Sequence, residues 1–136
     1  MSKGPSAHLS WKELACRDGT EYPLKWRENR AIRLAEMFEA IRSACGDKQI
    51  QVLSGYRTPE YNRKIGGARF SQHIEGRALD LKPPKGYTIT EFFKTIRTLA
   101  EPLNTIKGIG RYPTFIHVDI RPSDKLVVWY GTRTRN

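Results

Sequence analysis

The chain has 136 residues, the length of one domain, and its 38% hydrophobic content is enough for a globular core, which excludes a disordered chain. No apolar run approaches the roughly 20 residues of a membrane-spanning helix, so we expect no membrane insertion; the polar N-terminus MSKGPSAHLSW predicts synthesis in the cytoplasm without a signal peptide. A formal net charge of +10 favours a polyanionic partner, namely nucleic acid, an anionic membrane or an acidic cell-wall polymer, without choosing among them.

The first third of the chain predicts a loose segment followed by helices. Residues 1–8 are polar, and we expect them to be loose. Ser10 stands where it can cap a short helical turn in LSWKEL. Apolar residues then recur at helical spacing from about Arg27 to Cys45, and Gly46 follows as a stop signal. This region therefore predicts one long amphipathic helix.

A strand and a short helix are predicted next. QIQVLSG alternates and is rich in strand-forming residues, which is typical of a core strand. In RTPEYNRKIGG, Thr58 is placed as an N-cap and Pro59 as the first helical residue. Gly66 and Gly67 mark the end of this helix.

The second half of the chain combines strands with one clear helix. GRALDLKPP predicts a strand that two prolines stop, and TITEFFKTIRTLAEPL carries a helical apolar stripe, with Thr90 as its cap. KGIGRYP predicts a turn-rich approach to a strand in TFIHVDI, and KLVVWYG predicts a fourth strand. Because helices and strands are mixed without a regular βαβ order, we expect one α+β domain over residues 1–136, an antiparallel sheet flanked by helices.

The two cysteines do not indicate a disulfide framework. Cys16 and Cys45 are too few for one, and also too few for a cysteine-based zinc site. Cys45 falls on the apolar face of the predicted helix, and the simplest interpretation of both is a small buried hydrophobic residue. Whether the two pair in a single bridge stays open.

Several polar residues lie in or beside the predicted strands. Of the three histidines, His8 is in the loose N-terminal segment, whereas His73 and His117 are next to strands. Alternation turns Asp80 away from the neighbouring leucines, and an inward-facing carboxylate needs a partner, such as a metal. His117 and Asp119 share one face of their strand. Each residue alone is also compatible with an ordinary hydrogen-bonded group, but two histidines and one aspartate together suit zinc.

Three stretches, SGYRTPEYN, SQHIEGRALD and FIHVD, resemble the zinc D-alanyl-D-alanine peptidases. That family shares its metal-site scaffold with lysostaphin-type peptidases and the hedgehog signalling domain. Its motif Ser-x-His-x-x-Gly-x-Ala-x-Asp, with a later histidine on a strand, is matched without a gap, and the resemblance spans about Leu9 to Gly131. It implies a small α+β fold that holds one zinc ion, with His73, Asp80 and His117 as ligands.

The same resemblance suggests residues of a substrate cleft. SGYRTPEYN leads into the cleft in the family, and Arg57 there can fork onto a substrate carboxylate or brace a carbonyl oxygen as charge develops. A structural salt bridge is its alternative role. Ser71 and Gln72 can donate hydrogen bonds to the cleft or simply fix their loop. Tyr56 and Tyr61 are expected to be packing residues.

The motif leaves the general base open. Zinc hydrolysis needs a nearby carboxylate or histidine that moves a proton from water to the leaving amine. Several branches of the family place an acidic residue three positions before the last histidine, where this chain has Thr114. Asp119 is the substitute candidate, either as the base or as the group that orients a ligand histidine. Glu75 and Asp124 are weaker candidates.

These observations predict a zinc-dependent peptidase of the bacterial cell wall. Its cofactor is one zinc ion, and its substrate is the peptidoglycan stem peptide, cut at a terminal D-Ala-D-Ala bond or at an internal amide. We expect a monomer, and the N-terminus suggests a phage lysis enzyme. One alternative is a zinc-binding domain of the same fold without hydrolytic activity, which Thr114 favours. The other is a nucleic-acid-binding protein, suggested by the charge; because the basic residues are scattered, we expect no specific nucleic acid.

Overall fold

The computed structural model describes residues 3–134, in which four α-helices and one short 3-10 helix accompany a five-stranded sheet. No helix in this part of the chain is long and apolar enough to cross a membrane. In chain order the elements are α1 (Trp11–Leu14), the 3-10 helix (Leu24–Trp26), α2 (Arg30–Ala44), β1 (Val52–Ser54), α3 (Pro59–Lys64), β2 (Ala78–Leu81), α4 (Ile89–Leu103), β3 (Gly108–Arg111), β4 (Ile116–Asp119) and β5 (Val127–Tyr130).

The sheet is mixed, with the strand order β1-β2-β4-β3-β5. Neighbouring strands run antiparallel except β3 and β5, which are parallel. Because β4 already lies between β2 and β3, β5 joins the sheet at the remaining edge of β3. The predicted α+β class is confirmed, while the parallel pair at this edge differs from the antiparallel sheet that we expected.

Alternation along β2 and β4 separates an apolar face of the sheet from a polar one. The aliphatic residues of both strands join the core that packs against α2 and α4. On the other face Ala78 is opposite Asp119, and Asp80 is opposite His117. Every residue of the two strands is buried. The predicted orientation is therefore confirmed, and buried polar side chains on this face require partners of their own.

The core is built from the apolar stripes of the two long helices. Phe38 of α2 and Phe92 of α4 are fully buried against the sheet, and burial of such a side chain is worth roughly 1.5–3 kcal/mol. Cys16 and Cys45 are buried, and both are free. The prediction that they act as small buried residues is confirmed, and they do not form the bridge that their number left open.

Side-chain caps define the starts of all four α-helices, and Asn29 caps α2. Ser10 caps α1 and Thr58 caps α3, as predicted. The cap of α4 is Thr88, so the assignment of Thr90 to this role was wrong. Thr88 and Glu91 form a reciprocal capping box, in which each side chain binds the backbone N–H of the other residue. The Thr-x-x-Glu pattern carried this signal in the sequence.

A strand that the sequence analysis missed lies in KGIGRYP. Its two glycines suggested a turn, but Gly108–Arg111 forms β3 between β4 and β5. A Cβ on Gly108 would overlap the carboxylate of Asp119, and one on Gly110 would lie 2.6 Å from the ring of Trp129. Glycine inside a strand often marks such a close approach. The two glycines therefore make room for side chains on the polar face.

The segment before α1, which we expected to be loose, contacts α2 where it is described. Ser6 Oγ donates to the Glu39 carboxylate at 2.6 Å, and the backbone N–H of His8 donates to it at 2.9 Å. The His8 imidazole lies 2.8 Å from the other oxygen of the same carboxylate. Residues 1 and 2 lie outside the described residues.

Candidate metal centre

His73, Asp80 and His117 converge on the polar face of the sheet. Each offers one ligand atom, and these atoms all lie within 4.8 Å of one another. Asp80 Oδ1 is 3.0 Å from His73 Nε2 and 3.1 Å from His117 Nδ1. All three side chains are buried. Two imidazoles and one carboxylate form a set of three protein ligands that suits zinc and leaves a fourth position for water or substrate.

Two strands and one loop supply these residues. Asp80 of β2 and His117 of β4 are register partners, so their side chains are neighbours on one face. His73 belongs to the loop between α3 and β2. Its backbone carbonyl accepts from the N–H of Arg57 at 3.1 Å, which connects this loop to the segment after β1. The sheet and the loop therefore approach the same point from two directions.

The loop that carries His73 is fixed by local contacts. Ser71 Oγ accepts from the backbone N–H of His73 at 3.1 Å. Gly76 has φ +66°, and a Cβ there would lie 2.6 Å from the Trp26 ring, so the close turn requires glycine. The Tyr22 hydroxyl donates to the Gly76 carbonyl at 2.7 Å. These contacts explain the structural roles of Ser71 and Gly76 in the motif.

The outer nitrogen of each histidine is held by the protein. His73 Nδ1 donates to the Gly55 carbonyl at 2.7 Å, and His117 Nε2 donates to Asp119 Oδ2 at 2.7 Å. A neutral imidazole that donates through one nitrogen presents a lone pair on the other. When both rings are neutral, the lone pairs of His73 Nε2 and His117 Nδ1 point toward Asp80 Oδ1. A cation between these three electron-rich atoms stabilises that arrangement.

The two oxygens of Asp80 have separate partners. Oδ1 faces the two histidines, while Oδ2 accepts from Arg57 Nη2 at 3.1 Å. Arg57 is buried and also donates to Ser54 Oγ and Asn62 Oδ1, each at 3.1 Å. Burial opposes ionisation of Asp80, but the two imidazoles outweigh it and hold its pKa well below the usual range. Asp80 is therefore an oriented carboxylate.

Asp119 lies behind His117 and is fully buried. Its Oδ2 accepts from His117 at 2.7 Å and from Arg121 Nη2 at 2.7 Å, while its Oδ1 accepts from Arg121 Nε at 2.9 Å. Burial would raise the pKa of Asp119, but the hydrogen bonds of Arg121 and His117 lower it below the ordinary value. Both of its oxygens are thus engaged by neighbouring residues.

The pKa values of the two histidines shift in opposite directions. Burial lowers the pKa of His73 despite the opposing effect of Asp80, which leaves its imidazole in the neutral form that binds metals. Burial alone would also lower the pKa of His117, but its bonds to Asp119 and Asp80 outweigh this and raise the pKa to about 9. Metal binding requires His117 to release this proton, and the donor set of two imidazoles and one carboxylate then fits one metal ion.

The three residues open into a cleft of about 290 Å³. Tyr112 and Phe115 stack in one wall, with ring centroids 4.5 Å apart and planes 7° from parallel. Trp129 lies 5.1 Å from the His117 ring, centroid to centroid, and donates from Nε1 to the Tyr112 hydroxyl at 2.9 Å. Phe70 stands at the cleft with 84% of its surface exposed. The cleft thus gives a substrate aromatic walls beside the metal ligands.

The other residues singled out in the sequence take different positions. Gln72 lines the cleft, and its buried Oε1 has no hydrogen-bond partner within residues 3–134. Tyr56 packs against the core. Glu75 pairs with arginines, and Asp124 borders a separate depression near the end of α4. The Thr114 hydroxyl donates to a backbone carbonyl of the C-terminal segment. Ser71, Gln72 and Arg57 border the cleft, whereas Glu75 and Asp124 do not.

Comparison with known proteins assigns this chain to a family. The sequence model described as peptidase M15 matches residues 7–119, which include all three converging residues. The chain belongs to the peptidase M15 family. The resemblance inferred from the motifs is thereby confirmed at the level of the family.

Two curated relatives of this M15 family member carry peptidase names. It is 44% identical over 54 residues to the zinc D-Ala-D-Ala carboxypeptidase of Streptomyces albus G, an alignment that covers 38% of the chain and 21% of that protein. It is 34% identical over 98 residues to the probable peptidoglycan L,D-endopeptidase MepK of Haemophilus influenzae, covering 65% of the chain and 50% of the relative. The alignments thus span half or less of either relative's length.

The sequence analysis missed several residues of this M15 site. Asn62 is buried and braces Arg57, and its other side-chain atom donates to the Ala68 carbonyl at 2.8 Å. Arg121 pairs with Asp119. The available signal in the sequence was an arginine two positions after an aspartate on the inward face of a strand. Trp129 reaches the cleft because it is opposite Gly110 in the parallel pair of strands, which no local pattern indicates.

Proposed function

We propose that this chain is a zinc-dependent peptidase that hydrolyses an amide bond in the peptide of bacterial peptidoglycan. The observation that carries the proposal is the convergence of His73, Asp80 and His117 in a cleft, each already oriented by a second protein group. The names of the two relatives support the substrate class. One is named for a terminal bond and the other for an internal one, so both kinds of bond are candidates.

The chain's own residues prepare the ligands for metal and substrate. When bound, zinc supplies a Lewis acid and lowers the pKa of water. Gly55, Asp119 and Arg57 hold the three ligands with their lone pairs directed inward, which spares the protein a reorganisation when the metal binds. Burial of all three ligands strengthens these electrostatic contacts.

Asp119 and Arg57 act as positioning residues in this proposal. The geometry supports the orienting role for Asp119, because its oxygens are engaged by His117 and Arg121 and it is fully buried. Arg57 commits three donors to protein acceptors and braces Asp80. Gln72 is the proposed substrate-binding residue of the loop, because it lines the cleft and its side-chain amide offers both donors and an acceptor.

Digestion of purified muropeptides tests the proposal. With zinc present we expect new amine and carboxyl ends in the products, identified by mass spectrometry, and their position identifies the bond that is cut. Chelation should stop the release, and added zinc should restore it. His117→Ala should be inactive. Thr98→Ala, which changes an exposed residue of α4, should retain activity. A folded, zinc-loaded protein that produces no new ends would refute hydrolysis.

A zinc-binding module of the same fold without hydrolytic activity is the second candidate. Within residues 3–134, Asp80 is the single acidic residue that lines the cleft, and the Thr114 hydroxyl is engaged by a backbone carbonyl. This favours the candidate, because no second described carboxylate lines the cleft to move a proton from water to the leaving amine. The digestion separates the two, because the module binds zinc and releases no product.

The proposed activity would suit a phage lysis enzyme. If the chain has this origin, its coding gene should lie beside lysis or tail genes. A position among bacterial housekeeping genes would contradict it.

A further inference from the structure

Two of the arginines that line the cleft are committed to aspartates of the site. Arg57 pairs with Asp80, with 3.1 Å between Nη2 and Oδ2, and Arg121 pairs with Asp119 through two nitrogens. Arg57 commits all three of its nitrogens to described acceptors, and Arg121 commits two of its nitrogens to Asp119. Both arginines therefore hold aspartates of the candidate metal site in place.

Arg133, a third arginine of the cleft lining, has no carboxylate partner among residues 3–134. Its Nη2 donates one long hydrogen bond, 3.3 Å, to the Ile65 carbonyl at the end of α3. Within residues 3–134 no carboxylate oxygen lies within 4.0 Å of its guanidinium nitrogens. A guanidinium has five N–H donors, so most of those of Arg133 are unused by the described residues.

The path of the chain after β5 brings Arg133 to the cleft. Gly131 donates from its backbone N–H to Arg111 at 2.9 Å, and Thr134 accepts from the Thr114 hydroxyl. Between these two anchors, the Arg133 side chain reaches across to the end of α3. It is half-buried and borders the same space as His73 and His117. Anchors on both sides fix its backbone beside the metal site.

The charge of the cleft makes this arginine a receptor for an anion. Among residues 3–134, three arginines and a single acidic residue, Asp80, line the space. The Arg133 guanidinium borders the same cleft as the three converging residues, so it lies within reach of a substrate bound there. A planar guanidinium matches the geometry of a carboxylate and binds it through two parallel hydrogen bonds.

We propose that Arg133 binds a carboxylate of the substrate, so that the cleft selects peptides with a free carboxylate near the bond to be cut. The inference rests on the proposed peptidase function and names its substrate class as acidic peptides. Arg133 is then a specificity-determining residue that contacts the substrate and neither binds the metal nor moves a proton. The competing role is a purely structural one, in which Arg133 holds the C-terminal segment against α3.

Matched peptides distinguish the two roles. The probe is the synthetic stem pentapeptide L-Ala-D-Glu-meso-diaminopimelate-D-Ala-D-Ala, prepared with all carboxyls free and with each amidated in turn. For the wild-type protein we expect amidation of one carboxyl to lower kcat/KM by about 10- to 100-fold, mostly through KM, because a charge-assisted pair is lost. Arg133→Gln should lower kcat/KM on the free peptide by a similar factor and should no longer discriminate against that amide.

Matched variants complete the test. Arg133→Lys keeps the charge without the fork, so it should retain part of the preference. Arg97→Gln makes the same charge change on exposed α4, outside the cleft, and should keep the wild-type preference. Equal losses of Arg133→Gln on the acid and the amide, or a wild-type protein that cleaves both equally, would overturn this inference alone. A wild-type protein that cleaves no member of the set would overturn it together with the proposed function.

Discussion

Asp119 divides its two oxygens between His117 and Arg121 and is fully buried by its neighbours. A buried carboxylate in this position keeps the outer nitrogen of the imidazole protonated, and the inner nitrogen then carries the lone pair that a metal requires. Arg121 compensates the charge of Asp119 that burial would otherwise disfavour. At the scale of single residues, charged side chains therefore hold Asp80 and His117, while a backbone carbonyl holds His73.

Asp119→Asn tests this interpretation. The substitution keeps the size of the side chain and removes its charge, so His117 loses the carboxylate that orients it. We expect zinc affinity to fall by about 10- to 100-fold, measured by competition with a chromophoric chelator.

Asp124→Asn is the matched control, since it makes the same change away from the cleft, and its zinc affinity should equal that of the wild-type protein. If Asp119→Asn kept full zinc affinity but lost peptide hydrolysis, Asp119 would be the general base instead.

The three converging residues were predictable from the sequence, and several of their partners were not. His73, Asp80 and His117 belong to short motifs whose residue types and strand alternation indicate a metal. Arg133 reaches the cleft only through the path of the chain after β5, and Trp129 only through the parallel strand pair. Local patterns contain no information on which distant segments meet, so these residues required the structure.

The elements themselves depend on capping and on strand pairing. α4 starts at a reciprocal capping box between Thr88 and Glu91, which satisfies backbone N–H groups that the helix cannot pair internally. This helix covers the apolar face of the sheet opposite the site. Its start therefore helps to fix the core on which β4 rests.

Thr88→Ala should reduce the free energy of unfolding by about 1 kcal/mol, because the cap is lost while the packing of α4 is kept. Urea denaturation followed by circular dichroism measures the change. Thr98→Ala removes a hydroxyl from the exposed middle of the same helix and should be neutral or slightly stabilising, since alanine favours helices. Equal losses for the two variants would show that the capping box contributes nothing.

Most helices and four of the strands were predictable because their apolar periodicity and caps are local signals. β3 was not, because the two glycines that suggest a turn are there for tertiary reasons: Asp119 and Trp129 occupy the space beside them. The position of β5 next to β3 was equally hidden, since strand order is decided by pairings between distant segments.

For the whole molecule, the metal centre joins the loop before β2 to two strands of the sheet. A ligand that binds the folded state and not the unfolded one stabilises the fold in proportion to the logarithm of its concentration over its dissociation constant. In the proposed function zinc is such a ligand, because the three buried residues that would hold it come from separate parts of the chain.

We expect zinc at about 1,000 times its dissociation constant to add about 4 kcal/mol to the free energy of unfolding, and chelation to remove it. Differential scanning calorimetry with zinc and with chelator measures the shift in Tm. His73→Ala should show no zinc-dependent shift. An identical Tm of the wild-type protein in both conditions would mean that the three residues hold no metal in solution.

The order of the chain has a consequence for biosynthesis. His73, Asp80 and His117 all precede β5 and the segment that carries Arg133, and domains are translated from the N-terminus onward. In the order of synthesis, every proposed ligand is therefore made before Trp129 and Arg133, the residues that complete the walls of the cleft.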